Sequence, residues 1–215
     1  MSKNLEDSGL KSIASEYDLF FIDIWGVVHN GIKLYENAVR ALEELANNEK
    51  KFILLTNAPR PNLTVINTLK KMGLNNFSDT VFTSGEASKR YLLENFNNKK
   101  FFHLGPPRDF DLFKTFEDNK VLNIDNSDYL LCSGLFEEYE NDLGYYKTLL
   151  LKHINKKMIC TNPDLIVDRG DNREYCAGSI AKAFEEINGE VIYFGKPYPP
   201  VYEIAADINL SLIHI

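Results

Sequence analysis

Short apolar runs alternate with stretches of helical periodicity along this sequence, and no other feature restricts its fold as strongly. Residues 18–25 and 51–57, which read DLFFIDIW and KFILLTN, have the apolar, β-branched character of buried strands. The intervening residues 36–47 place Leu42 and Leu45 on one face of a helix. A strand, a helix and a second strand in this order predict a parallel β-α-β unit.

The same pattern then extends to a third strand. Residues 62–73 predict a helix that is closed by Gly73, and residues 80–84 (TVFTS) predict a further buried strand. Together with the first unit, these elements form half of a doubly wound, Rossmann-like sheet. In such a sheet the strands are parallel and helices cover both faces, so a fold of the α/β class is expected.

The pattern changes between about residue 88 and residue 178, but this segment does not have the character of a disordered region. Strand-like FFHLG, YLLCSG and MICTN are separated by two helix-like runs, residues 109–118 and 142–157. This change indicates a second, smaller α/β unit that is inserted into the first. We therefore predict an inserted domain at 88–178.

The sequence after this insert returns to the first pattern. A helix ended by Gly189 precedes the strand-like run VIYFGKP, and another helix starts near Pro199 or Pro200. We assign these elements to the core. The complete prediction is an α/β fold whose doubly wound parallel-sheet core comprises residues 1–87 and 179–215.

The composition excludes several classes of protein. A formal net charge of −7 disfavours nucleic-acid binding, which requires clustered Lys and Arg. No run approaches the ~20 apolar residues of a membrane span, and the first residues lack the apolar run of a signal peptide. Cys132, Cys160 and Cys176 include no CxxC pair. We expect a cytoplasmic protein without nucleic-acid or membrane partners, and a homo-oligomer is left open.

Asp23 is the first candidate for chemistry, because it ends an otherwise apolar strand and is followed by Gly26, which permits a tight turn. In open α/β sheets ligands bind beyond the carboxyl ends of the strands, so a carboxylate there points into the binding crevice. The alternative is an Asp that caps a turn or a helix. The first strand alone favours neither interpretation.

Two further strand ends carry residues suited to phosphate. Thr56 and Asn57 supply a hydroxyl and an amide after the apolar run FILL, and Lys196 follows the run VIYFG. A carboxylate nucleophile, a neutral donor and a cation in this order make a minimal phosphoryl-transfer site. We therefore predict that Asp23, Thr56 and Lys196 are catalytic residues.

Longer motifs surround these residues and resemble a known family. The segments are FIDIWGVVHNG, LLTNAPR, TSGEAS, TNPDLIVDRG and GKPYPPVYEIA. Their combination resembles subfamily IIA of the haloacid dehalogenase (HAD) superfamily, which contains nitrophenyl phosphatase-like and sugar phosphatase-like hydrolases. The resemblance covers nearly the whole chain, and it implies a HAD core with the inserted domain as its cap.

The resemblance also implies roles for the candidate residues. Asp23 would form an aspartyl-phosphate intermediate, while Thr56 and the backbone of Asn57 would bind the phosphoryl group. Lys196 would steady both the phosphate and the nucleophile. Mg²⁺ would bridge Asp23 and the substrate, and the backbone carbonyl of Trp25 would be a further ligand.

Substrate contacts are expected from two places besides Asn57. Gly26 lies in the first motif, and Asn162 and Asp164 lie in the TNPD segment of the cap. The alternative for the TNPD segment is a strand end followed by an Asn-Pro turn, which the local sequence favours equally. The resemblance favours substrate contact.

Trp25 is a departure from the family pattern. The first motif of the family has a second Asp at this position, which protonates the leaving group and later activates water. Loss of such a general acid/base costs on the order of 10²–10⁴ in rate. His29 lies in the same loop and is the candidate replacement, since a histidine titrates near neutral pH. The alternative is a histidine that caps the loop or faces solvent.

The last residues are the second departure. The family has a further strand that ends in acidic residues of the magnesium site, and no such motif follows Lys196 here. We expect a C-terminally truncated version of the family and exclude residues 211–215 (SLIHI) from functional inference.

The resulting prediction is a magnesium-dependent phosphatase of a small phosphorylated metabolite. Trp25 and the missing acidic motif support an alternative, a non-catalytic phospholigand-binding or regulatory protein on the same fold. A receiver domain would share the Asp, Thr and Lys. It would also need an acidic pair at its first strand and no inserted domain, so it does not fit.

Overall fold

The computed structural model describes residues 9–77, 80–169 and 172–211. Within these ranges the α-helices are α1 (Glu36–Asn47), α2 (Asn62–Lys71), α3 (Ser84–Asn95), α4 (Leu143–Leu150), α5 (Ala177–Glu185) and α6 (Pro199–Ser211). The strands are β1 (Leu19–Asp23), β2 (Lys51–Thr56), β3 (Val81–Thr83), β4 (Phe101–Leu104), β5 (Lys120–Val121), β6 (Tyr129–Cys132), β7 (Lys157–Cys160), β8 (Ile166–Arg169), β9 (Asn172–Tyr175) and β10 (Val191–Tyr193).

The chain divides into two compact units. The first unit contains the residues up to Leu55 together with Ile66–Val81, and the second contains Thr56–Val65 and the residues from Phe82 onward. Across the described ranges, every helix falls short of the length and apolar character that a bilayer span requires.

The first unit is built on two parallel strands, β1 and β2, whose register places Asp23 opposite Leu55. Three central residues of β2, Ile53, Leu54 and Leu55, are completely buried, as expected of a strand that helices cover. In contrast, β1 lies at one end of the sheet order β1-β2-β3, and its Phe21 is 37% exposed. Helix α1 buries Leu42 and Leu45, which confirms the predicted apolar face.

The second unit contains a sheet of five described strands in the order β10-β7-β6-β4-β5. All of its strand pairs are parallel, so the predicted parallel α/β fold is confirmed. Leu130 and Cys132 on β6 and Met158 and Cys160 on β7 pack in one core with residues of α4 and α5. The apolar side chains of these strands therefore bury one face of the sheet against helices.

Several local elements differ from what the sequence predicts. Residues 109–118, predicted as a helix, form two short 3₁₀ segments, Pro107–Leu112 and Lys114–Asn119. Phe110, Phe113 and Phe116 recur every third residue, and that spacing matches the three residues per turn of a 3₁₀ helix.

The other differences are one helix end and the elements that were not predicted. The helix predicted over residues 142–157 ends as α4 at Leu150 and continues as a 3₁₀ turn to His153. Helix α3 was not predicted, although Thr83 and Glu86 have capping-box spacing and the Thr83 hydroxyl accepts a bond from the Glu86 N–H. The antiparallel pair β8 and β9 was also missed.

Strand β10 bears on the predicted domain division. It follows the predicted insert of residues 88–178, yet it pairs with β7 in the five-stranded sheet of the second unit. The division into a core at 1–87 and 179–215 and a cap at 88–178 stays a prediction.

Candidate active site

The loop after β1 carries four of the predicted site residues and is closed mainly by its own backbone. Asp23 ends the strand, and its Oδ1 accepts a bond of 2.9 Å from the N–H of Ile24. The Gly26 N–H donates to the His29 carbonyl over 2.8 Å, and the Val28 N–H donates to the Ile24 carbonyl over 2.8 Å. Gly26 has a φ of +80°, a value that glycine adopts without strain.

Trp25 lies on the outside of this loop and is 40% exposed. Its ring contacts the His29 imidazole edge-on at 5.4 Å between centroids, and it lies against Gly31, where a Cβ would come within 2.7 Å of it. The backbone carbonyl of Trp25 takes part in none of the bonds that close the loop. A backbone carbonyl oxygen is a hard ligand of the type that Mg²⁺ prefers.

His29 is buried within the same loop. Its Nδ1 accepts a bond of 2.8 Å from the Gly31 N–H, so the neutral ring carries its proton on Nε2. Burial lowers the pKa of His29, and the negative charge of Asp23 acts in the opposite direction without reversing the shift. The imidazole is therefore neutral at neutral pH, a state better suited to closing the loop than to donating a proton.

The second unit contains the other predicted site residues. Thr56 ends the buried strand β2, Asn57 follows it directly, and both residues are buried. The Thr56 hydroxyl accepts a bond of 3.2 Å from the Ala58 N–H, and this bond uses an oxygen lone pair and leaves the hydroxyl hydrogen to donate elsewhere.

Asn57 connects three separate segments of the second unit. Its Nδ2 donates to Asp164 Oδ1 over 2.8 Å and to the Lys196 carbonyl over 3.0 Å. Its Oδ1 accepts a bond of 2.7 Å from the Lys196 N–H. One side chain thus joins the second motif to the TNPD segment and to the lysine motif.

The TNPD segment is held by a turn of its own and by its neighbours. Asn162 Oδ1 accepts a bond of 3.0 Å from the Asp164 N–H, which makes the Asn turn that was the alternative to substrate contact. The Ser84 hydroxyl, at the start of α3, lies 2.6 Å from the Thr161 carbonyl and 3.1 Å from the Ala58 carbonyl, and its single hydrogen is shared between these two acceptors. This hydroxyl therefore ties the TNPD segment to the second motif.

Gly195 precedes the lysine in a turn that only glycine fits. Its φ is +127°, and a Cβ there would lie 2.5 Å from Pro163 Cδ and 2.7 Å from Asn57 Oδ1. The Tyr198 N–H closes the turn by donating to the Gly195 carbonyl over 2.9 Å. The backbone around Lys196 is therefore packed directly against the TNPD segment and Asn57.

Arg60 is a second anchor of the segment that follows β2. Its Nε and Nη2 donate to the two oxygens of Asp111, each over 2.7 Å, and the Thr64 hydroxyl donates to the same carboxylate over 2.6 Å. Burial acts to raise the pKa of Asp111, but the bonds from Arg60 and Thr64 outweigh it and lower that pKa. A bidentate interaction of this kind fixes the orientation of the Arg60 guanidinium as well as its distance from the carboxylate.

A buried polar group lies beside this anchor. Ser133 donates to Asp109 Oδ2 over 2.8 Å and lies 2.8 Å from His103 Nε2, while Arg60 Nη1 lies 4.0 Å from Asp109 Oδ1. Burial raises the pKa of Asp109 to about 6. Burial and the charge of Lys120 lower the pKa of His103 to about 3. His103 is thus a neutral residue that is bound within a buried polar group.

The predicted magnesium ligands are oxygen atoms, a carboxylate and a backbone carbonyl. Mg²⁺ prefers hard oxygen ligands and keeps several waters or phosphate oxygens in its octahedral shell. The Asp23 carboxylate and the Trp25 carbonyl are ligands of this type, and both belong to the loop after β1. In the part of the chain that the structure describes, no three or more His, Cys, Asp or Glu side chains cluster as a metal site. The residues fit a cation that shares its shell with water and substrate.

The structure thus distributes the predicted site residues over two groups. Asp23, Trp25, Gly26 and His29 belong to the loop of the first unit. The other group joins Asn57, Asn162, Asp164 and Lys196 in the second unit, to which Thr56 also belongs.

Sequence reasoning missed three residues that hold the second group, namely Ser84, Arg60 and Asp111. The first two had a signal, because they belong to the motifs TSGEAS and LLTNAPR. Asp111 had none.

A parallel α/β fold with polar residues at or just after strand ends is typical of enzymes that bind ligands beyond those ends. Residues 20–117 match the haloacid dehalogenase-like hydrolase family. A haloacid dehalogenase-like hydrolase from Brucella suis 1330 is 31% identical with a TM-score of 0.85, over 95% of this chain and 78% of that chain. The chain therefore belongs to the haloacid dehalogenase-like hydrolase family.

Two further relatives have more specific names. A 4-nitrophenylphosphatase from Thermotoga maritima is 28% identical with a TM-score of 0.71, over 92% of this chain and 75% of that chain. An acid sugar phosphatase from Staphylococcus epidermidis is 24% identical, over 89% of this chain and 74% of its own length. These relatives agree with the resemblance to subfamily IIA, and family membership confirms the prediction of a hydrolytic enzyme.

Proposed function

We propose that this protein is a magnesium-dependent phosphatase of a small phosphorylated metabolite and that it works through an aspartyl-phosphate intermediate. The observation that carries the proposal is Asp23, a carboxylate at the carboxyl end of β1 in a chain of the haloacid dehalogenase-like hydrolase family. The 4-nitrophenylphosphatase and the acid sugar phosphatase support a phosphate monoester as the substrate class.

In the first step a carboxylate oxygen of Asp23 attacks phosphorus, and the bond from phosphorus to the leaving-group oxygen breaks. In the second step water attacks the aspartyl-phosphate, releases inorganic phosphate and restores the carboxylate. The Thr56 hydroxyl and the Asn57 backbone N–H bind phosphoryl oxygens, and the Lys196 ammonium offsets their charge. Gly26 lets the backbone after the nucleophile approach the phosphoryl group closely.

Mg²⁺, when bound, neutralises charge on the phosphoryl group and the nucleophile. Asp23 and the carbonyl of Trp25 are the residues that would hold it. The loop bonds between Gly26, Val28, His29 and Ile24 keep the Trp25 carbonyl in a defined position, so the first unit supplies both ligands from one short segment.

This scheme lacks a general acid for the leaving group, since the side chain of Trp25 does not donate a proton as the usual Asp would. His29 is the candidate donor, but its Nδ1 already accepts the Gly31 N–H and burial keeps the ring neutral. We therefore propose that the enzyme prefers esters whose leaving group is stable as an anion, such as nitrophenyl phosphate.

We also propose the domain arrangement predicted from the sequence, a core at 1–87 and 179–215 and a cap at 88–178. In this arrangement the TNPD segment, with Asn162 and Asp164, faces the substrate from the cap side and excludes water during transfer. A cytoplasmic protein would meet such metabolites directly.

Trp25 favours a second candidate, a non-catalytic protein that binds a phospholigand on the same fold. The test is a phosphate-release screen over sugar phosphates, nucleotides and 4-nitrophenyl phosphate, each with and without Mg²⁺. Magnesium-dependent release is expected, and it should be fastest with 4-nitrophenyl phosphate. Binding of phosphate esters without any release would select the non-catalytic protein.

A further inference from the structure

The side-chain amide of Asn57 is fully engaged as a donor inside the second unit. One N–H reaches Asp164 Oδ1 at 2.8 Å and the other reaches the Lys196 carbonyl at 3.0 Å. Its oxygen accepts the Lys196 N–H at 2.7 Å. Because an amide has two N–H donors, none is left for a substrate. The side chain can therefore act on a phosphoryl group only through the residues that it holds.

The chemistry of its partners fixes the orientation of this amide. A flipped amide would place its oxygen against the Asp164 carboxylate and the Lys196 carbonyl, which are both acceptors. It would also place its NH₂ group against the Lys196 N–H. All three bonds would be lost, so Asp164 and the backbone of Lys196 favour the same orientation of the amide.

The backbone of Lys196 is bound on both sides by this single amide. Its N–H and its carbonyl both bond to Asn57, and the neighbouring Gly195 packs so closely that a Cβ there would lie 2.7 Å from Asn57 Oδ1. The point from which the lysine side chain starts is thereby set. A displacement of about 1 Å of a group that meets the reacting atoms can cost on the order of 10² in rate.

We propose that Asn57 is a positioning residue that couples Asp164 of the TNPD segment to the backbone of Lys196, so that the placement of the lysine ammonium depends on Asp164. The inference rests on the proposed function for the role of the ammonium at the phosphoryl group. The coupling itself is a property of the second unit alone.

The coupling is tested by hydrogen exchange of the Lys196 amide, measured by NMR in the full chain. Asn57→Leu removes all three bonds at similar size, so exchange of this amide should rise by about tenfold or more. Asn95→Leu is the matched control, because Asn95 is exposed and bonds only within α3 in the described structure. The amide of Leu131 in β6 reports the global fold. If Asn57→Leu unfolds the unit, Asn57→Asp takes its place.

Charge-changing substitutions test the role of Asp164 in this coupling. Asn57→Asp sets a carboxylate against Asp164, and it should weaken binding of inorganic phosphate with Mg²⁺ by about tenfold. Adding Asp164→Asn supplies an amide that donates to the new carboxylate, and at least half of that loss in affinity should return. The double variant Lys196→Met, Asn57→Asp should bind inorganic phosphate no more weakly than Lys196→Met alone. The two substitutions are expected not to add, because each acts through the ammonium of Lys196.

Two outcomes separate this inference from the proposed function. Unchanged Lys196 exchange in Asn57→Leu, or additive losses in the double variant, would overturn the coupling even in an active phosphatase. A wild-type protein that releases no phosphate from any ester overturns the proposed function. In that case the exchange rates and the affinity for inorganic phosphate still decide the coupling.

Discussion

The two groups of candidate residues are held by different kinds of bond. The loop after β1 is closed by backbone bonds between neighbours and by one imidazole, and it leaves Trp25 40% exposed. In the group around Asn57, the buried amide of this one side chain bonds to partners that lie 107 and 139 positions away. The first geometry is therefore encoded locally, whereas the second depends on specific side chains far apart in sequence.

This difference predicts that substitutions in the two groups will have different kinds of effect. In the loop, a change of side chain should alter chemistry while the fold persists, because the backbone bonds remain. Around Asn57, a change should alter stability and chemistry together, because the same side chains supply both.

Asp23→Asn should give the largest effect and the clearest separation of chemistry from fold. The amide is a poor nucleophile of nearly the same size, so release of phosphate from 4-nitrophenyl phosphate should fall by at least about 10³-fold. The melting temperature should change by no more than about 3 °C. Parallel assays of turnover and thermal unfolding check both statements. A folded variant with near-normal turnover would remove Asp23 from the mechanism.

Two glycine variants compare the groups directly. Gly195→Ala combines a φ of +127° with a Cβ at 2.5 Å from Pro163 and should lower the free energy of unfolding by roughly 3 kcal/mol. Gly26→Ala meets a φ of +80° with nothing within 4 Å and should lower it by only about 1 kcal/mol. Denaturant titrations of both variants give the values. Equal losses would mean that the close approach at Gly195 contributes nothing.

The buried carboxyl of Asp109 should make the second unit sensitive to pH. Its pKa is raised by burial from an ordinary 3.8 to about 6, so between these values the folded state binds more protons than the unfolded state. The contribution to stability is therefore present below about pH 4 and is lost as pH rises through about 6.

The measurement compares the wild type with Asp109→Asn, which does not titrate. Relative to the variant, the wild type should lose on the order of 2 kcal/mol of unfolding free energy between pH 4.5 and pH 7. His103 acts in the opposite direction, because its lowered pKa adds stability as pH rises, but it is common to both proteins. Asp118→Asn, at an exposed position, is the control. An identical pH dependence in wild type and Asp109→Asn would contradict the burial effect.

His29→Ala should have the smallest effect. Loss of the bond from Gly31 and of the contact with Trp25 should cost about 1 kcal/mol of stability. The ratio of turnover between 4-nitrophenyl phosphate and an alkyl phosphate should change by less than about threefold, because the neutral ring is a poor proton donor. A selective loss of alkyl phosphate turnover would instead identify His29 as the general acid.

The elements at the candidate site were predictable because short-range signals mark them. Asp23, Thr56 and Lys196 each follow an apolar run, and the strands β1, β2 and β10 lie where those runs predict them. The bonds of Asn57 were not predictable, since nothing local to residue 57 indicates a partner more than 100 positions away. The 3₁₀ segments from Pro107 to Asn119 were missed for another reason: an apolar spacing of three residues resembles that of an α-helix over a short window.

The long separation of Asn57 from its partners also bears on how the protein is made. At roughly 5–20 residues per second, a ribosome adds the 139 positions from Asn57 to Lys196 in about 7–28 s. During that time the nascent chain already contains Asp23, β1 and β2, while the amide of Asn57 still lacks its Lys196 partner. The lysine end of the site is therefore assembled late in synthesis, and an Asn57 substitution removes bonds that only a nearly completed chain can form.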